Sequence, residues 1–525
     1  MYDGFWLPVA LREQVLGGAS WDTIWLRGGA LVDEATSGAV AVRAPRLSPE
    51  GWGELLAGLR AARGAPARAQ DSAIRWQSAL EAARERLMQG AAQTLPALAA
   101  ATGYSMPMLA AALGHGDLVT PDGLAEACRY RPTWSVATRW EPMPGLAGRV
   151  RFFPARRIDR ASARLRGRRP LVRPAPPVEL ALGYAAGNVP GTALLIVLLA
   201  GSAVAEGQDG ATTPAILVRN SRHEPLFAPW VLSAVEAVDP ELVAGTAVML
   251  WDYDETALQE RLMRGAGLLI AAAGDEAIAA LDALRARCAP GCRFHRHGHK
   301  VSFAVIAQPA PDAARLAALD SSLWDQNGCL SARVHFVEGD AAAYGSELTA
   351  QMRALARELP RGTTPRRFVH RAFDAYATLE AAGHDAFVCS TYDDDFAVIV
   401  DRRRWDPGML ARAVNACAGR TTIIRPVAAV EEAIRYLGWL PAANLQSASV
   451  AMPAARALAF AGAAGACGVT AVRSLGRAAF PQLAYSWDGL LPLDLSCLRP
   501  EGHFTTVEFD DPAAEMAASL EQWAG

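Results

Sequence analysis

The chain offers no disulfide framework: its eight cysteines (128, 288, 292, 329, 389, 417, 467 and 497) are scattered irregularly through 525 residues. Sparse, unpatterned thiols suit a reducing compartment, so a cytoplasmic protein is expected. The start, Met1-Tyr-Asp-Gly-Phe-Trp-Leu7, lacks a basic run ahead of an apolar core, so no signal peptide is expected. Long hydrophobic runs are missing too. The most apolar one, Ala193 to Ala200, is too short to span a bilayer and reads as a buried helix. A net charge of -3 gives no general reason to expect nucleic acid. There is no internal repeat and no G-x-G-x-x-G in the first α/β segment, which removes the standard Rossmann fingerprint. What is present, 51% apolar and 20% charged residues, describes a well-folded globular chain long enough for roughly three structural units.

The first 130 residues are rich in Ala, Leu and Arg with helical periodicity, best over Ala73–Met88 and Leu95–Leu113. An arginine-rich, proline-punctuated stretch, Arg149 to Pro177, follows; it reads as a solvated connection or subunit-contact ribbon, with a polyanion-binding arm as the alternative. Then short apolar runs (Ala215–Val218, Ala247–Leu250, Gly267–Ala273, Val301–Ala307) alternate with helical stretches (Pro225–Val238, Glu255–Gly265, Asp275–Cys288). That alternation predicts a parallel α/β sheet. A second α/β unit is predicted over about 312–450, with strands Ala332–Val337, Ala386–Cys389, Phe396–Val400 and Thr422–Pro426. The organisation expected is a helical region over 1–130, a nucleotide-binding α/β domain over 131–308, a second α/β domain over 309–455 and a C-terminal return over 456–525.

The segment Leu323-Trp-Asp-Gln-Asn-Gly-Cys-Leu-Ser331 says most about chemistry. A thiol is nucleophilic only as thiolate and needs a polar, partly open setting to ionise. Gly328 allows close backbone approach, and the N–H of Cys329 could point into a site. The alternative is a small buried cysteine. Gly274 ends a strand and begins a helix, the geometry that brings phosphate to a helix N-terminus. Arg219 and Arg222 follow another strand with no acid between them, a pairing suited to phosphate or to an ordinary basic surface turn. Cys288, Cys292, His295, His297 and His299 make zinc conceivable, but the C-x₃-C spacing reads better as a connection entering a site, so no metal is assigned. Asp393-Asp-Asp395 reads as a solvated turn.

Six pieces in order resemble the aldehyde dehydrogenase superfamily, and more closely its LuxC-type acyl-CoA reductase branch. They are Gly187-Asn-Val-Pro190, Ile216-Leu-Val-Arg-Asn-Ser221, Ala271-Ala-Ala-Gly-Asp-Glu-Ala277, Gly298-His-Lys-Val-Ser-Phe303, Trp324-Asp-Gln-Asn-Gly-Cys329 and Ser486-Trp-Asp-Gly489. The resemblance implies an aldehyde dehydrogenase-like fold, two interlocked parallel α/β domains with a helical N-terminal region. It makes Cys329 the nucleophile and Asn188 an oxyanion donor alongside the Cys329 N–H. Arg219, Ser221, Arg222 and Gly274 are then the cofactor-binding residues. Arg222 falls where NAD-preferring members often carry a glutamate, which favours a 2′-phosphate and so NADPH. Aligning Gly298-His299-Lys300 with the superfamily's Glu-Leu-Gly-Gly-Lys places Arg296 where hydrolytic members have their water-activating carboxylate.

The activity implied is NADPH-dependent reduction of an acyl thioester to the aldehyde through an S-acyl-cysteine. The alternatives are a CoA-acylating aldehyde dehydrogenase working oxidatively, or a non-catalytic acyl-transfer or scaffold partner with the same fold. The partners implied are an acyl-CoA or other acyl thioester, an acyl-transferring protein and further copies of the chain, with no nucleic acid and no membrane span.

Overall fold

The structure, a computed structural model, describes residues 1–33, 36–63, 69–114, 140–142, 149–154, 178–202, 205–207, 210–307, 311–363, 366–478, 488–489 and 504–508. These fall into two units. One holds the described residues up to 114 and from 178 to 299; the other holds those of 140–154, 300–489 and 504–508.

The first unit is built on a five-stranded, all-parallel sheet. Its order is Thr246–Met249, Ala215–Arg219, Leu180–Tyr184, Leu268–Ala272 and Arg293–His297. Ala-Ile-Leu-Val-Arg and Leu-Leu-Ile-Ala-Ala carry no polar alternation because helices cover both faces of such a sheet. Leu217, Met249 and Leu269 are fully buried, each worth roughly 1.5–3 kcal/mol relative to exposure. The helices Phe227–Glu236, Thr256–Arg264 and Asp275–Cys288 lie close to their predicted spans, and the apolar run forms the helix Thr192–Ser202. The N-terminal region departs from the all-helical expectation. Besides the helices Pro49–Ala61, Ala69–Thr102 and Met106–Gly114 it holds a four-stranded sheet, ordered Tyr2–Asp3, Val40–Arg46, Ser20–Arg27, Ala30–Val32. The tight turn at Gly28 and Gly29, both at positive φ, reverses the chain between the last two.

The second unit has a ten-stranded sheet. Its order is Ala386–Val388, Ala397–Asp401, Thr421–Val427, Ala332–Glu338, Val301–Ile306, Leu445–Ala451, Ala471–Ser474, Phe504–Glu508, Arg149–Pro154 and Trp140–Pro142. The seven strands from Ala397–Asp401 to Phe504–Glu508 are parallel, and antiparallel strands close both edges. Val301–Ile306, expected within the nucleotide-binding domain, belongs to this second sheet. The start of the basic stretch, Arg149–Pro154, is a strand of it; the rest of that stretch lies outside the described residues.

Candidate active site

Cys329 sits in a turn between the helix Pro311–Ser322 and the strand Ala332–Glu338. The approach to it is unusual. Trp324, Asp325 and Gln326 have φ of 54°, 47° and 60°, three consecutive non-glycine residues in the left-handed region. Such residues cost about 1–3 kcal/mol each and persist only where the surroundings hold them. Here they are held. Arg420 Nε donates to Asp325 Oδ1 at 2.8 Å and Gly362 N to Oδ2 at 3.1 Å. Gln326 Nε2 donates to the Ala332 carbonyl at 2.8 Å, and its Oε1 accepts from Thr421 N at 2.8 Å. Asp325 and Arg420 are both essentially inaccessible to solvent.

Beyond the turn, Ser302 Oγ donates to the carbonyl of Cys329 at 2.8 Å, and Ser447 Oγ donates to Ser302 Oγ at 2.8 Å. The thiol is half-buried against Leu330 and Ala471. Burial pushes it up to about 11, and the nearby Asp488 carboxylate pushes the same way. A hydrogen bond with Gln446, the residue's own N–H and the Lys300 ammonium pull it back. Gln446 Nε2 donates to Asp488 Oδ1 at 2.7 Å. Lys300 Nζ stands 3.7 Å from Asp488 Oδ2 and donates to the Ala443 carbonyl at 2.7 Å. The thiol therefore faces a carboxylate from a turn, an amide from the strand Leu445–Ala451 and an ammonium one residue before the strand Val301–Ile306.

In the first unit the structure joins two predicted motifs. A Cβ on Gly187 would collide with Ser221 and His223, so the turn Gly187–Gly191 lies directly on the loop after Arg219. Gly191, at φ 94°, donates its N–H to Glu224 Oε2 at 3.4 Å. Glu224 also accepts from Leu226 and Phe227, and burial raises it to about 7. Asn188, in that turn, is exposed, and its carbonyl accepts from the Tyr104 hydroxyl. Asn188 and Cys329 belong to different units.

Arg219 is buried, donates through Nε to the Trp251 carbonyl at 2.9 Å and stacks its guanidinium 3.7 Å from the centre of the Tyr253 ring. Arg222 is ion-paired with Asp252. The acid absent between the two arginines in sequence is supplied by the neighbouring strand end, through the pairing of Ala215–Arg219 with Thr246–Met249. Gly274 precedes the helix Asp275–Cys288 and a Cβ there would meet open space, so packing does not demand glycine. The first turn carries Asp275 and Glu276, and Asp275 Oδ1 accepts from His299 N at 2.7 Å. Those carboxylates already complement the helix dipole, which makes this end less hospitable to phosphate than the arginine loop.

Residues 180–497 match the family described as acyl-CoA reductase (LuxC). The chain belongs to that family. A long-chain acyl-protein thioester reductase of Aliivibrio fischeri is 28% identical over 195 residues, 36% of this chain and 38% of that protein. The match thus spans well under half of the relative's length. Among solved structures, lactaldehyde dehydrogenase from Escherichia coli aligns with a TM-score of 0.57 at 14% identity, covering 94% of this chain and 96% of that one. An oxidoreductase from Marinobacter aquaeolei gives 0.59 at 12% identity, covering 94% and 95%. At such identities the likeness concerns the fold, which is that of the aldehyde dehydrogenases.

For this LuxC-family chain the remaining predicted features resolve as follows. Arg296 pairs with Asp282 at 2.7 Å. His295 and His297 contact each other, Nδ1 to Nε2, at 2.7 Å, and no group of three or more His, Cys, Asp or Glu among the described residues is placed to hold a metal. Asp394 and Asp395 are held by Arg353 and Arg366 on a turn. No described helix is long and apolar enough to cross a membrane.

Sequence reading quoted Lys300 and Asp488 inside motifs without giving either a role, and missed Gln446 and Asp252. One signal was available. Lys300 is the only lysine in 525 residues. A chain that uses arginine for every other side-chain cation of high pKa keeps a compact ammonium beside the thiol.

Proposed function

We propose that this protein reduces an acyl thioester to the aldehyde with NADPH, through an S-acyl intermediate on Cys329. The observation that carries this is the Cys329 turn itself. Three costly left-handed residues, locked by a buried ion pair, present a thiol to a carboxylate, an amide and an ammonium. Left-handed residues held by their surroundings in this way cluster at functional sites. In this reading the Cys329 sulfur takes the acyl group, and its backbone N–H and the Asn188 amide stabilise the oxyanion. Arg296, tied to Asp282, offers no base for water, so the acyl enzyme survives until it is reduced.

The arginine loop suits a nucleotide. Arg219 stays cationic beside an exposed Tyr253 ring, and Arg222 has a buried Nε with no hydrogen-bond partner. When bound, NADPH supplies the hydride that the acyl carbonyl accepts. Arg222 directs the choice toward the 2′-phosphate by a charge-assisted contact of about 1.5–3 kcal/mol, partly offset because Asp252 must yield it. NADPH should therefore bind about tenfold more tightly than NADH. Asp252→Asn should widen that ratio and Arg222→Glu should reverse it, measured as direct dissociation constants by intrinsic fluorescence. Equal affinities in all three proteins would remove Arg222 from cofactor choice.

Incubation of the wild type with a panel of acyl-CoAs and acyl-carrier thioesters should oxidise NADPH and release the matching aldehyde. If no thioester in the panel supports NADPH oxidation, the proposed activity is wrong. Asn188→Ala should lower turnover on the order of 10²–10³-fold, the usual loss for one oxyanion donor. Near-normal turnover would leave Asn188 as part of the Tyr104-held turn and nothing more.

A further inference from the structure

The thiol of Cys329 is protonated at rest, so acylation requires a place for its proton. The charged groups that bear on it are Asp488, Lys300 and, from the start of the following strand, Arg333. Two of these are cations. Ser302 and Ser447 are occupied with the Cys329 carbonyl and each other. Among the described residues Asp488 is the one carboxylate of this cluster; it is buried, and Gln446, which donates to it at 2.7 Å, precedes Ser447, the serine bonded to the Ser302 that holds the Cys329 carbonyl.

We propose that Asp488 is the base that takes the Cys329 proton during acylation and returns it to the departing thiol. This rests on Cys329 being the nucleophile. The S–H bond breaks with its electrons staying on sulfur, and the proton passes to the Asp488 carboxylate. A sulfur electron pair forms the bond to the thioester carbonyl carbon. As the tetrahedral adduct collapses, the carbon–sulfur bond to the donor breaks, its electron pair leaves on the donor sulfur, and Asp488 gives that sulfur the proton. Nothing is oxidised or reduced and the proton is conserved.

Three features of the cluster fit this role. Lys300, the only lysine, lies 3.7 Å from Asp488 Oδ2, where its positive charge compensates the resting carboxylate. Gln446 Nε2 donates to Asp488 Oδ1, while Gln446 Oε1 is buried with no hydrogen-bond partner. A buried acceptor left unsatisfied is costly and calls for an explanation. An amide can serve both states of its neighbour: its N–H₂ donates to the carboxylate, and after a half-turn its oxygen accepts from the acid. Finally, the Asp488 carboxylate opposes a second negative charge on the Cys329 sulfur, so proton transfer to it is coupled to attack on the thioester rather than preceding it.

The test compares two rates at Cys329 in Asp488→Asn and the wild type at neutral pH. The first is alkylation by iodoacetamide, which reports thiolate directly. The second is acylation by an acyl-CoA without cofactor, followed by intact mass. Removing the carboxylate takes away a charge that holds the thiol protonated, so alkylation should not slow. Acylation should fall by about 10²–10⁴-fold, the usual worth of a positioned base, and Asp488→Glu should recover part of it. Acylation within tenfold of the wild type overturns the proposal. So does a parallel fall in both rates, which would mean Asp488 only holds Gln446 and the turn in place. The underlying reading fails separately and visibly, if the wild type itself takes no acyl group at Cys329.

Discussion

Cys329→Ala protein is expected to take up no acyl group and to reduce no thioester. Wild-type protein mixed with an acyl-CoA in the absence of cofactor should gain one acyl mass, and the same mixture with the variant should gain none. The other five described cysteines are poor rivals. Burial raises Cys292, Cys389, Cys417 and Cys467 as it does Cys329, but among the described residues none of these four has a side-chain hydrogen bond such as Gln446 gives Cys329. Cys288 ends the helix Asp275–Cys288, beside Arg287 on an outer helix of the first unit. Covalent catalysis depends on one sulfur with the right neighbours, so deleting it removes the whole route rather than slowing it. An acyl adduct that persists in the variant, located on another residue, would falsify the assignment. The helix and turn should tolerate the change, because the side chain loses a single heavy atom, packed against Leu330 and Ala471; unchanged thermal unfolding is the control.

The second large effect concerns stability. Arg420→Ala should cost about 3–5 kcal/mol, because it leaves the Asp325 carboxylate buried with one remaining hydrogen bond from Gly362. Arg361, whose charge also bears on Asp325, limits the loss to the lower part of that range. The paired replacement Asp325→Leu with Arg420→Met should be milder than the single one, since it removes both charges and leaves none stranded. Denaturant titration of the three proteins decides it. A single-variant loss below about 1 kcal/mol would mean that the pair does not hold the turn. Function should follow stability here. With Asp325 released, the left-handed run Trp324–Gln326 has less to oppose its strain, and alkylation of Cys329 should lose its single rate.

The elements most legible in the sequence were strands buried on both faces. Ala-Ile-Leu-Val at 215–218 and Leu-Leu-Ile-Ala-Ala at 268–272 are unbroken apolar runs, because a parallel sheet sandwiched between helices leaves no wet side. The strand Leu445–Ala451 went unseen for the opposite reason. It reads Leu-Gln-Ser-Ala-Ser-Val-Ala, yet all but its last residue are buried, and three of those are polar. Gln446 and Ser447 are inside because they serve Asp488 and the Cys329 carbonyl. The chemistry of the site erased the hydrophobic pattern that would have revealed the strand. Arg293–His297 is hidden in the same way, as a polar edge strand carrying two inward histidines. The sheet in the N-terminal region was masked by the long helices that follow it.

By itself, then, the order of short motifs along the chain determined the family and the fold and singled out Cys329 as the candidate nucleophile, because each motif is local: a strand, a turn and a reactive residue within a few positions of one another. Tertiary structure alone decided what surrounds them. Asp252 reaches Arg222 across 30 residues because two strands pair side by side. Asp488 reaches Gln446 across 42 residues, and its charge bears on the thiol of a loop 159 residues earlier. Arg420 locks Asp325 from 95 residues away. Charges act through space over a few ångströms and carry no trace in the sequence of which distant partner will be brought within that distance.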